Sequence, residues 1–137
     1  MPAKLSAQEA LIYVMVTMSA VDGAMEDEEL ARVGAIVEQL PAFRDFNENG
    51  LVATAQRCGE ALSGKTGLQD VLALVQASLP EPLRETAYAL AVEIAAADLK
   101  VKQEELRFLE LLRDRLEISK LVVAAIERGA RARHRTV

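Results

Sequence analysis

Carboxylates are the side chains of this sequence whose spacing could do chemistry. An acidic junction occurs twice, as Ala20-Val21-Asp22-Gly23-Ala24-Met25-Glu26-Asp27-Glu28-Glu29-Leu30 and as Ala96-Ala97-Asp98-Leu99-Lys100-Val101-Lys102-Gln103-Glu104-Glu105-Leu106. Each copy sets an Asp at the end of an apolar run and Glu-Glu-Leu at the start of the next. The register is constant at 76 residues, and upstream it pairs Val14 with Leu90, Val16 with Val92 and Met18 with Ile94. An internal duplication is the simplest reading. Two such junctions side by side would pool their carboxylates, the donor set that holds hard cations such as calcium or magnesium.

The positions of the acids allow two readings. Asp22 lies four residues beyond Met18 and Asp98 four beyond Ile94, so both continue the inward stripe of an apolar helix. A carboxylate there needs backbone N–H groups, a basic side chain or a cation. Glu29 and Glu105 each precede a leucine expected to face inward, Leu30 and Leu106, and would flank the same space. Alternatively, Asp22 and Asp98 cap the following helices, and Glu26 to Glu29 form a solvated first turn that suits the helix dipole. An EF-hand is excluded, because Ala24 and Val33 stand where that loop needs acids.

Other chemistry finds little support. Cys58 and His134 are each the only residue of their type, so intramolecular disulfides and Cys- or His-based zinc sites are not expected. Cys58 reads as a core residue, and the cytosol is the expected compartment. No P-loop, dinucleotide-binding glycine pattern or nucleophile elbow is present, and the chain is not expected to be an enzyme. Net charge is −5, but the last ten residues hold four Arg and no acid, leaving the other 127 with a balance of −9. Such an acidic body disfavours nucleic acid, whose binding is cation-driven, and is compatible with cations or a basic protein partner.

The elements that must position these acids read as helices. Hydrophobic residues make up 51% of the 137 residues but aromatics only 4%, so the core is Ala, Leu, Val and Ile packed at short helix distances. The chain is long enough for one self-sufficient domain. Ser6 and Glu9 form a capping box opening a first helix through Leu11, Met15 and Met18 to Gly23. A second starts near Glu26 or Asp27 and buries Leu30, Val33, Val37 and Leu40 before Pro41. Phe43 and Phe46 plug a gap in the core from the following loop. A third helix covers about Asn49 to Leu62, and Thr66 with Gln69 caps a fourth carrying Leu68, Leu72, Val75 and Leu79 inward.

Pro82 opens a fifth helix reaching about Ala97. This helix and the first are apolar nearly all round, so the two form the centre. Within it Glu93 is expected to be half-exposed or paired with an Arg, at the level of Thr17 by the 76-residue offset. A sixth helix, Gln103 to Leu116, buries Leu106, Leu109 and Leu112, and Ser119 caps a seventh that ends at Gly129. No signal peptide is evident, and the apolar run Ala10 to Val21 is too short to cross a bilayer, so stable membrane insertion is not expected.

The twice-used pattern of apolar helix, Ala-x-Asp-Gly and then Glu-Leu resembles the tellurite-resistance TerB-like family. The likeness runs from about Leu5 to Glu127 and includes Leu116-Glu117-Ile118-Ser119 before the last helix. It implies a compact all-α single domain, 1–127; the duplication and helix pattern make this about seven helices with two pseudo-repeated helical hairpins, and the Arg-rich tail, 128–137, reads as disordered. It also implies a bacterial cytoplasmic protein linked to tellurite resistance or stress response, engaging a protein partner. Asp22, Glu29, Asp98 and Glu105 match the acids proposed to bind metal in that family. The second copy departs from the pattern, with Leu99 in place of Gly and two positive charges, Lys100 and Lys102, that oppose an ion at Asp98.

Overall fold

Ten consecutive residues of the first helix, Ala10–Ser19, are buried, and this one fact organises the architecture. A computed structural model of the protein describes residues 4–21, 23, 25–97 and 101–137. Its α-helices are α1 (Ala7–Ala20), α2 (Asp27–Gln39), α3 (Gly50–Leu62), α4 (Gly67–Ser78), α5 (Arg84–Ala97), α6 (Gln103–Arg115) and α7 (Lys120–Arg133). Short 3-10 turns at Pro41–Phe43 and Glu81–Leu83 precede α3 and α5. No strand occurs among the described residues, and the chain is an all-α single domain.

An apolar helix with no polar face must be wrapped on every side. α1 is packed against α2, α3, α4 and α5, and α5 in turn carries α6 and α7. The expected centre is therefore the observed one. α1 opens with the predicted reciprocal cap: Ser6 Oγ accepts from the Glu9 N–H at 3.1 Å, and Glu9 Oε1 accepts from the Ser6 N–H at 2.9 Å. Phe43 is buried and meets Phe46 edge-on, ring centroids 6.1 Å apart, closing the core under the α2–α3 connection.

Four local expectations are corrected. In α6 the inward stripe is Glu105, Phe108, Leu109 and Leu112, with Leu116 just beyond, while Leu106 is 52% exposed. Leu30, Leu40 and Leu68 are only partly buried, leaving Val33 and Val37 of α2 and Val71, Leu72 and Val75 of α4 in the core. Thr66 and Gln69 do not form a capping box: Thr66 Oγ1 donates to Asp70 Oδ2 at 2.9 Å, and Gln69 Oε1 accepts from Arg115 at 3.0 Å. The last helix, capped by Ser119 Oγ accepting from the Val122 N–H at 3.3 Å, does not stop at Gly129 but continues to Arg133. A glycine inside a helix costs only about 1 kcal/mol, and the Ala-Arg-Ala-Arg that follows favours helix.

Candidate functional site

The two acidic junctions use their second glutamate in the same way. Glu29 Oε1 accepts from the Glu26 N–H at 3.0 Å, and Glu105 Oε1 accepts from the Lys102 N–H at 3.2 Å. Both residues occupy the third helical position, where a long acidic side chain can turn back on an N–H that the helix leaves unsatisfied. Glu105 is the more enclosed, 4% exposed, whereas Glu29 is half-buried. Asp27 and Glu28 in the first turn of α2 are exposed, placed favourably for the helix dipole.

Asp22 and Asp98 lie outside the described residues, as do Ala24, Leu99 and Lys100. Their flanks are placed, however. Ala20 and Val21 at the end of α1 line one cleft of ≈ 490 Å³ together with Gln103, Glu104 and Arg107 at the start of α6, over Leu62 and Leu68. The close of the first apolar helix and the opening of the sixth thus face each other. Gly23 has φ 153°, a backbone dihedral that residues with a Cβ rarely adopt, so the first junction requires its glycine. Among the described residues no group of three or more His, Cys, Asp or Glu gathers to hold a metal.

The level of Thr17 and Glu93 is polar in both central helices, by different means. Thr17 Oγ1 meets Cys58 Sγ at 3.5 Å in the core. Glu93 Oε2 accepts from Arg133 at 2.6 Å and its Oε1 lies 2.7 Å from His134 Nε2. Partial burial pushes the Glu93 carboxyl up, but the bonds from Arg133 and His134 together outweigh it and hold the group below the usual carboxylate range. The Arg pairing is the expected one, although its source, the end of α7, is not.

Sequence reasoning missed a second anchor of α7, where Tyr88, fully buried, donates to Glu127 Oε2 at 2.6 Å. Burial first, and the Glu127 carboxylate second, push the phenol up. A lone tyrosine in an Ala-rich helix was its only signal. Cys58 is fully buried, and burial raises its thiol to about 11. Thiolate is the reactive form, so a disulfide reagent should label Cys58 only as fast as the fold opens. Labelling kinetics across a urea series check this, and a fast phase in native buffer would contradict the buried placement.

An all-helical domain with two acidic helix starts, one opening onto a shared apolar cleft, defines the class. A family model described as tellurite resistance protein TerB matches residues 8–128, and the chain belongs to that family. Comparison with curated proteins and with solved structures gave no match. Among the described residues no helix is long and apolar enough to cross a membrane.

Proposed function

We propose that this domain is a non-enzymatic, cytoplasmic interaction module of tellurite resistance or a related stress response, and that it takes a divalent cation between its acidic junctions. The supporting observation is that the end of α1 and the first turn of α6, which flank the two acidic junctions in sequence, line the same cleft. Asp22, Glu29, Asp98 and Glu105 are the proposed ligands. An all-carboxylate donor set favours calcium or magnesium over zinc. Glu29 and Glu105 each commit Oε1 to a backbone N–H, which orients the carboxylate.

A second reading is favoured by those same two hydrogen bonds: the acids cap helices, and partners are bound without metal. Melting curves with and without calcium or magnesium, with elemental analysis of protein purified without chelator, separate the two. At a hundredfold excess over the dissociation constant, a bound ion should add about 2.7 kcal/mol. Asp22→Asn should remove that gain and leave the metal-free protein at least as stable, because it relieves like-charge repulsion. If the acids are caps, Asp22→Asn will be nearly silent and Asp22→Ala will cost about 1 kcal/mol with or without metal.

A further inference from the structure

The connection from α6 to α7 is short and sharply turned. The Ile118 N–H donates to the Arg113 carbonyl at 3.1 Å and the Glu117 N–H to the Asp114 carbonyl at 3.3 Å, the paired bonds that close a helix on a left-handed residue. That residue is Glu117, at φ 55°. Glycine usually fills such a position because it has no Cβ to crowd the neighbouring carbonyl oxygen, and Asn or Asp can hold it through a short polar side chain. Glu117 has neither advantage. Backbone strain is therefore stored in a link of only four residues, 116–119.

Beyond this link lies a helix held chiefly by one neighbour. α7 packs mainly on α5. Its Glu127 accepts from the Tyr88 hydroxyl at 2.6 Å, and at its end Arg133 donates to Glu93 at 2.6 Å, with His134 Nε2 2.7 Å from the same carboxylate. Val123 and Ile126 pack against the core, and Ala130 is buried. The polar tethers all reach α5, distant in sequence, so the α7 of a second copy would satisfy this face as fully as the chain's own.

We infer that the chain forms a dimer by exchanging α7: the 116–119 link opens, and each α7 takes the place of its counterpart on α5 of the other copy. The face and the helix that fits it are already complementary, so the partner needs no new surface. The contacts under α7 are the same in both forms, which leaves two effects to decide between them. Relief of the turn at Glu117 favours exchange, and the lost freedom of association opposes it. Protein concentration sets the balance. The exchange is reciprocal and closes as a two-fold dimer. It involves none of the proposed metal ligands and stands apart from the cation reading.

Sedimentation velocity of the full chain in chelator tests it, after incubation at about 1 mM in sub-denaturing urea, which lets the link open, and return to buffer. Dimer should accumulate with concentration. Glu117→Gly adopts the left-handed turn without strain and should raise the dimer dissociation constant about tenfold or more. A second pair of variants reverses the tether. Arg133→Glu sets two carboxylates against each other within one copy, and Glu93→Arg sets two guanidinium groups. Exchange between these two variants restores opposite charges at both sites, so the mixed dimer should form at about tenfold lower concentration than either variant's own dimer. A contact between outer surfaces would show no such preference. Circular dichroism will verify that the reversed variants fold, and Glu117→Gly decides the matter even where one of them does not. Wild-type protein that stays monomeric, Glu117→Gly that dimerises like wild type, or folded reversed variants with no preference for the mixed dimer would each overturn the inference.

Discussion

Gly67→Ala should destabilise the domain by about 3 kcal/mol or more, although it adds a single methyl group. A Cβ at Gly67 would fall 2.5 Å from the carbonyl carbon of Leu62 and nearer still to its oxygen, with the Ala61 carbonyl oxygen at 2.8 Å. These are backbone atoms at the end of α3, so no side chain can rotate away and the α3–α4 turn must open. Overpacking typically costs about 1–3 kcal/mol, and a backbone obstacle belongs at or above the top of that range. Gly59→Ala is the control. It sits exposed in α3 with nothing within 4 Å of its Cβ position, and should gain up to about 1 kcal/mol from helix propensity and a less free unfolded chain. Urea unfolding of both variants, compared at matched m-values, provides the measurement. Equal stabilities would mean that the turn is not as tight as described.

Phe108→Ala should cost about 3–5 kcal/mol, the usual penalty for emptying a large core site, because Phe108 is 1% exposed and among the largest buried side chains. Leu106→Ala, two residues earlier, should stay within about 0.5 kcal/mol, as surface changes do. Chemical denaturation of the pair determines the register of α6 directly. A larger loss at Leu106 than at Phe108 would return the helix to the orientation that the leucine pattern first implies.

That register shows how far the sequence was legible. Leu106, Leu109 and Leu112 satisfy a helical stripe, yet Glu105, Phe108, Leu109 and Leu112 satisfy one too, and adjacent apolar pairs leave the choice open. A Glu looks wrong for an interior position. It is tolerated here because a first-turn carboxylate can answer a backbone N–H, as Glu105 does for Lys102. The continuous apolar runs of α1 and α5 were unambiguous, and so was their central place. Ser6 and Ser119 were read correctly as caps. Thr66 was not, since a cap pattern specifies composition but not the dihedrals, here φ −113° and ψ 29°, that aim the side chain. Glu93 called for a basic partner, but nothing local pointed to Arg133 and His134 some forty residues away. Of the four acids matched to the family, Glu29 and Glu105 can be placed, and both prove to be oriented by main-chain N–H groups.

The burial of α1 on nearly every side also bears on how the chain is made. α1 leaves the ribosome well before α5, with Leu11, Ile12, Val14, Met15 and Val16 in one run, yet α5, the helix that covers much of it, ends only at Ala97. At translation rates of roughly 5–20 residues per second, that run waits on the order of ten seconds for its cover. The nascent chain therefore passes through an interval in which its stickiest segment is bare. During synthesis, before any ion or partner matters, α1 is the segment that a chaperone would have cause to hold.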